Sequence, residues 1–195
     1  MSALSVFVPG LAMGLVVSIP PGPAGVIILH RALRDEKQQA VRALAAFLVA
    51  ELVAVGVTFG FLGSLAGLAA LPGMKPAAGL YLLAFAVSAW RAAAAERGFP
   101  ETSAFAVFRI TILNPAIWLG AVSMLTIAGA RGGPGFLPRV VFVAGAELGS
   151  MAWYLAVIAG ARRVPSAYRR YVERAAVLVI GAIGAWFVAS IFLPR

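Results

Sequence analysis

Pro20-Pro21-Gly22-Pro23 interrupts an apolar stretch that otherwise runs from Val6 to Leu29. A second interruption, Asn114-Pro115, follows about half a chain later. Each proline removes a backbone donor and displaces the carbonyl four residues before it from the helical ladder. At membrane depth such breaks persist only where protein or a water-filled cavity supplies new partners. The two breaks therefore predict a polar site inside a membrane.

The composition is that of a membrane protein. Of the 195 residues, 62% are hydrophobic and 12% are charged, whereas roughly 25% are charged in soluble domains. The mean hydropathy is +0.97. The formal net charge is +9, but the basic residues lie in short loops between apolar runs, which argues against a nucleic-acid partner. With no cysteine and one histidine, the chain is expected to hold no metal, no cofactor and no catalytic residues.

Six apolar runs predict an all-α integral membrane protein with six transmembrane helices in a single domain, residues 1–195. A helix needs about 20 residues to cross a ~30 Å hydrocarbon core. The third run is the shortest, and the apolar stretch from Leu62 to Met74 before it is interpreted as a short external helix. No signal peptide is expected, because prolines interrupt the first run and no basic residue precedes it. The runs are Ser5 to Leu29, Val41 to Gly63, Ala77 to Ala92, Ala104 to Ala130, Phe136 to Ala161 and Ala175 to Leu193.

The loops predict the orientation, because cytoplasmic loops carry an excess of Lys and Arg. Eleven basic residues lie in the odd loops and three in the even loops. The odd loops are therefore predicted to be cytoplasmic, with both termini outside. The cluster from Arg162 to Arg174 is also expected to attract anionic lipid headgroups. The odd-loop residues are Arg31, Arg34, Lys37, Arg42, Arg91, Arg97, Arg162, Arg163, Arg169, Arg170 and Arg174, and the even-loop residues are Lys75, Arg131 and Arg139.

Breaks in the first and fourth spans predict two repeat halves, about residues 1–97 and 98–195. An odd number of helices in each half turns the second half upside down relative to the first, as an inverted repeat. The only carboxylates well inside apolar runs are Glu51 and Glu147, which follow their prolines by similar intervals. Each half is thus predicted to contribute one broken helix and one buried glutamate.

The breaks predict a binding site for a zwitterion. The half-helix that begins after Pro23 directs its first amide groups and its positive dipole end toward the break, where a substrate carboxylate binds favourably. Carbonyls freed near Val17, Ile19 and Thr111 are expected to accept hydrogen bonds from an ammonium group. The candidate substrate-binding residues are Ser18, Pro21, Gly22, Pro23, Thr111, Asn114 and Pro115.

Glu51 and Glu147 are the candidate proton-coupling residues. A charge in the membrane interior costs roughly 2.5 to 3.5 kcal/mol on insertion scales, so such residues usually face a cavity or pathway. A carboxyl group that alternates between its protonated and ionised forms is a proton carrier. The alternative is that one or both glutamates hydrogen-bond across helices as neutral acids. Two glycine pairs, in 56–60 and 145–149, fit close helix packing beside them.

The chain resembles the LysE/RhtB amino-acid exporter family over nearly its whole length. That resemblance implies a proton-coupled exporter of amino acids or related small metabolites in the bacterial inner membrane. Ala116 stands where the family has a lysine after Asn-Pro, and Glu51 stands where aspartate is usual, so export of lysine or arginine does not follow. The similar motifs are Ser18-Ile19-Pro20-Pro21-Gly22-Pro23, His30-Arg31-Ala32-Leu33-Arg34, the acid at Glu51, Gly79-Leu80-Tyr81-Leu82 before Trp90-Arg91, and Asn114-Pro115.

Other functions stay open at this point. An exporter of metal cations is an alternative, since carboxylates and freed carbonyls also suit hard cations, although two intramembrane acids make a thin ligand set. A lipid-handling enzyme or a non-transporting membrane scaffold is a further alternative. No Walker sequence is present, so direct ATP drive is not expected. The expected partners are a small-molecule substrate, namely an amino acid, protons and membrane lipid, and a homo-oligomer is left open.

Overall fold

The chain is helical throughout the residues that the computed structural model describes, which are 2–61, 73–94, 103–132 and 135–192. All regular secondary structure in these ranges is α-helix, which confirms the predicted all-α class. The external helix predicted from Leu62 onward falls mostly outside them. The helices are α1 (Ala3–Ser18), α2 (Pro23–Leu33), α3 (Lys37–Gly60), α4 (Met74–Ala94), α5 (Ala104–Ile112), α6 (Pro115–Gly132), α7 (Phe136–Ala161) and α8 (Ser166–Ala189).

Two predicted spans are pairs of helices that bend at the proline breaks. The bend is 73° between α1 and α2 and 67° between α5 and α6. Gly22 caps α2 with extended backbone, and Pro23 follows as its first residue, where a missing N–H is harmless because the first helical amides have no acceptor anyway. Asn114 caps α6, and its Oδ1 accepts a hydrogen bond from the Ala116 N–H at 3.0 Å. Both breaks are therefore places where a new helix starts.

The helices long and apolar enough to cross a membrane are α3, α7 and α8, and the count rises to five if each bent pair is one span. The remaining predicted crossing, the run from Ala77 to Ala92, lies in α4, which is not among those five. α4 packs closely along α8, since a Cβ on Gly79 would lie 2.6 Å from the Gly184 carbonyl oxygen. The fold thus accounts for three to five candidate spans in the described residues.

α1 and α7 pack backbone against backbone. A Cβ on Gly14 of α1 would lie 1.9 Å from the Ala146 carbonyl oxygen, and a Cβ on Gly149 of α7 would lie 2.3 Å from the Leu11 carbonyl oxygen. Gly10 and Gly145 make equally close approaches one turn earlier on their helices. Small residues at this spacing allow membrane helices to come this near each other.

The two glycine pairs predicted from the sequence behave differently. Close packing is confirmed for Gly145 and Gly149, whose partner is α1. For Gly56 and Gly60 of α3 the described residues provide no such partner, since an added Cβ would meet none of their atoms within 4 Å. The spacing alone cannot tell the two cases apart, because the outer face of a membrane helix also tolerates glycine.

The turn between α2 and α3 is bound to the start of α8. Asp35 adopts a positive φ of 64° in this turn, and its carboxylate lies 2.9 Å from the Arg169 guanidinium. Arg169 also donates to the Leu33 carbonyl oxygen at the end of α2. One turn along α8, Glu173 Oε1 lies 2.8 Å from His30 Nδ1. These contacts tie the first half of the chain to the second at the arginine-rich end of the bundle.

Candidate functional site

A cavity of about 390 Å³ lies between the two breaks. It brings together residues that are distant in the sequence, from α1, α2, α3, α5, α6 and α7. Of the candidate residues, Pro21, Pro115 and Glu147 are not in its lining. The candidates that do line it are Ser18, Gly22, Pro23, Glu51, Thr111 and Asn114.

The rest of the cavity lining is mostly apolar. Side chains from α1, α2, α3, α6 and α7 supply it, and the acid in the described lining is Glu51. The lining holds no lysine, arginine or histidine in the part of the chain that the structure describes. The further lining residues are Met13, Val17, Pro20, Ala24, Gly25, Phe47, Val55, Ala116, Ile117, Gly120, Ala121, Ser123, Met124 and Tyr154.

The first break leaves backbone donors and an acceptor without helical partners on residues that line the cavity. No side chain of the described residues caps α2, and the first backbone hydrogen bond at its start runs from the Val26 N–H to the Gly22 carbonyl oxygen, at 3.0 Å. The amides of Ala24 and Gly25 come before this bond, where helical geometry provides no acceptor. The Val17 carbonyl is open for a different reason. The residues three and four positions after it are Pro20 and Pro21, which have no N–H to donate.

The second break is closed by its own hydrogen bonds. The Thr111 carbonyl oxygen accepts from the Asn114 N–H at 3.1 Å, and the Thr111 hydroxyl donates to the Val107 carbonyl oxygen at 2.8 Å. The indole N–H of Trp118 donates to the Ile112 carbonyl oxygen at 2.8 Å. The prediction of an open carbonyl at Thr111 is therefore wrong, because the turn before Pro115 occupies it. This break contributes shape and neutral polarity rather than open backbone groups.

Glu51 is buried in the cavity wall. The residue is only 9% exposed, and its Oε2 has no hydrogen-bond partner among the described residues. Two turns further along α3, the fully buried Thr58 hydroxyl is likewise unpartnered within the described part of the chain. An unpaired polar atom in an apolar surrounding is costly unless a ligand, water or proton compensates. The Glu51 Oε2 atom is therefore available to a ligand or a proton.

Glu147 lies on α7, outside the lining of the cavity. Both of its carboxyl oxygens are buried without a hydrogen-bond partner in the residues that the structure describes. The alternative of a neutral acid bonded across helices thus finds no such bond at Glu147.

Two residues of α7 belong to the site although the sequence did not single them out. The Tyr154 ring lines the cavity, and its centroid lies 5.3 Å from that of Phe47 in an edge-to-face contact. The buried Ser18 hydroxyl donates to Ser150 Oγ at 3.0 Å. The available signal was helical spacing, since Ser150 and Tyr154 follow Glu147 by three and seven residues and share its face.

Comparison with known proteins identifies a family. No curated protein and no solved structure matches the chain significantly. A family model described as LysE type translocator matches residues 15–193. The matched range contains both breaks, both buried glutamates and every cavity-lining residue except Met13. The chain therefore belongs to the LysE type translocator family.

Proposed function

We propose that this protein is a proton-coupled secondary transporter that exports amino acids with apolar side chains across the bacterial inner membrane. The LysE type translocators are membrane transporters, which gives the general class. One observation supports the finer assignment. The cavity combines open backbone amides, an open backbone carbonyl and a buried carboxyl group within a lining that is otherwise mostly apolar.

The polar groups of the cavity match the two ends of a zwitterion. The substrate carboxylate accepts from the amides of Ala24 and Gly25, where the dipole of α2 adds favourable potential. The substrate ammonium donates to the Val17 carbonyl oxygen and to the Glu51 carboxylate. The transported amino acid thus supplies the hydrogen-bond partners that these backbone groups would have in an unbroken helix.

The remaining lining favours an apolar substrate side chain. Phe47, Ile117 and Met124 offer hydrocarbon and thioether surface, and the cavity volume lies within the range typical of small-molecule sites. An acidic side chain finds no basic residue in the described lining. A basic side chain competes with the substrate's own ammonium group for Glu51. Aliphatic and thioether amino acids fit both conditions.

Proton coupling follows from competition at Glu51. When the substrate leaves, the carboxylate loses its ammonium partner in a low-dielectric wall, where its neutral form is favoured. A proton then takes the place of the substrate, so that each crosses in the opposite direction. Glu147 is the buried glutamate of the second half, with both carboxyl oxygens unpartnered among the described residues, and it serves as the second member of the relay.

Alternating access requires two halves that move against each other, and the helix packing supports an inverted repeat. α1 packs on α7 as α5 packs on α3, and α2 packs on α8 as α6 packs on α4. If α1 to α4 are exchanged with α5 to α8 in order, the α1–α7 contact becomes the α5–α3 contact, and the α2–α8 contact becomes the α6–α4 contact. An inverted repeat requires such a correspondence. Arg169 and Glu173 contact the first half at the arginine-rich end, which the loop charges predict to be cytoplasmic.

Efflux from proteoliposomes tests this function. Vesicles are loaded with equal concentrations of leucine, methionine, lysine and glutamate, and the external buffer is made more acidic than the lumen. We expect gradient-dependent release of leucine and methionine, identified by mass spectrometry, and little release of lysine or glutamate. Release of lysine alone would contradict the proposed specificity. Release of no amino acid from correctly folded protein would favour cation export or a scaffold.

Gly22 allows a test of the binding site that spares the fold. Its φ of −82° and ψ of −179° suit any residue, and an added Cβ would meet no described atom within 4 Å. We expect Gly22→Val to project methyl groups beside the carboxylate site and to raise KM about tenfold or more, which corresponds to a loss of about 1.4 kcal/mol. The Tm should stay unchanged.

Gly56→Val is the matched control for this variant. Gly56 also has open space at its Cβ position, but it does not line the cavity. Its KM should equal that of the wild type. A wild-type KM in Gly22→Val would show that substrate does not bind at the start of α2.

A further inference from the structure

A second cavity lies between α4 and α8, apart from the one between the breaks. Its volume is about 500 Å³. Bulky apolar residues such as Leu83, Val87 and Leu178 form its sides, and small residues of α8, Gly181 and Ala182, leave room between them. Val87 and Leu178 are 49% and 60% exposed. We call this open apolar channel the α4–α8 groove.

One end of the α4–α8 groove is positively charged. Trp90 and Arg91 of α4 line this end, and the Arg174 guanidinium lies 5.5 Å from the centre of the Trp90 ring. Arg174 comes one turn before Val177, the first α8 residue of the groove. Tryptophan and arginine side chains of this kind typically lie at the level of lipid headgroups. The α4–α8 groove therefore runs along the surface of the helix bundle, from a basic, aromatic end to an apolar end.

We propose that the α4–α8 groove binds an anionic phospholipid, independently of the transport function. The lipid phosphate lies between Arg91 and Arg174, and an acyl chain follows the groove toward Leu83. Eight residues separate Leu83 from Arg91 along α4, which is about 12 Å at 1.5 Å per residue. That length suits the upper part of an acyl chain, and the open side of the groove lets the chain enter laterally.

Charge favours a lipid over a second copy of the chain as the occupant. A two-fold interface that keeps the same membrane orientation brings identical surfaces together. Arg91 and Arg174 of both copies would then meet at the same level and repel each other. A lipid phosphate instead supplies the opposite charge. A phospholipid with a neutral headgroup, such as phosphatidylcholine, also brings a choline cation beside the two arginines. It should therefore bind more weakly than an anionic phospholipid.

Native mass spectrometry of the full chain in detergent tests this site. Phosphatidylglycerol and phosphatidylcholine with identical oleoyl chains are the probes. For the double variant Arg91→Gln, Arg174→Gln we expect roughly 30-fold weaker phosphatidylglycerol binding, with little change for phosphatidylcholine. The matched control is Arg162→Gln, Arg163→Gln, which removes two exposed charges from the neighbouring loop. The control should bind phosphatidylglycerol as the wild type does.

A variant that fills the groove separates a defined site from diffuse attraction. Ala182→Phe occupies the groove and keeps both arginines, and we expect it to weaken phosphatidylglycerol binding at unchanged Tm. Equal loss in both arginine double variants would mean surface attraction without a site and would overturn the proposal. So would equal binding of the two lipids by the wild type, undiminished binding by Ala182→Phe, or a lipid-free dimer that Ala182→Phe dissociates.

Discussion

Gly14→Leu is expected to yield no folded protein, and Gly14→Ala is expected to lower the Tm strongly. A single Cβ at this position lies 1.9 Å from the Ala146 carbonyl oxygen, so the backbones of α1 and α7 must separate before even alanine fits. Overpacking of side chains costs about 1 to 3 kcal/mol. Here the obstacle is backbone, which has no rotamer to change, and we expect a cost at or above that range.

The direction of the Tm change in Gly14→Ala distinguishes an effect of packing from an effect of helix propensity. Alanine is about 1 kcal/mol better than glycine in a helix interior, so propensity alone would raise the Tm. Gly56→Ala is the control, because its added Cβ meets no described atom within 4 Å, and it should melt at the wild-type temperature or above. The measurement is the monodisperse fraction and the Tm in detergent. A Gly14→Ala protein that melts like Gly56→Ala would refute the close α1–α7 interface.

The helix breaks were predictable because their cause is local. Pro20 to Pro23 and Asn114-Pro115 interrupt the helical ladder whatever surrounds them, and the structure bends at both. Glu51 was also recognisable, since a carboxylate in an apolar run must find a cavity or a partner. These features depend on a few consecutive residues, and the sequence contains them in full.

The partners of each helix were not predictable, because they depend on contacts between distant residues. The pattern of Gly145 and Gly149 indicated a close neighbour but not that α1 would supply it. The same pattern at Gly56 and Gly60 has no such neighbour among the described residues. Likewise, nothing near Ser18 in the sequence reveals that its hydroxyl bonds to Ser150. The closed carbonyl at Thr111 and the position of Tyr154 in the cavity lining were therefore found only with the structure.

Glu51→Gln is expected to abolish efflux driven by a pH gradient while leaving the protein folded and able to bind substrate. Glutamine keeps the size of the side chain but neither ionises nor carries a proton. With one proton exchanged per substrate, a gradient of one pH unit supports about a tenfold substrate gradient. The variant should support none. Exchange of labelled for unlabelled substrate at equal pH needs no proton, and it should continue at saturating substrate, with a raised KM because the ammonium loses a charged partner.

The comparison of driven efflux with exchange decides what Glu51 does. Glu173→Gln is the matched control, since it neutralises a glutamate that contacts His30 at 2.8 Å and lies outside the cavity. It should keep driven efflux. Loss of both efflux and exchange in Glu51→Gln, at unchanged Tm, would make Glu51 a substrate ligand without a coupling role. Full driven efflux would remove Glu51 from the mechanism. If proton and substrate compete for the Glu51 carboxyl group, Glu51→Gln should lose driven efflux and keep exchange. Only driven efflux requires this carboxyl group to release the substrate and bind a proton in each cycle.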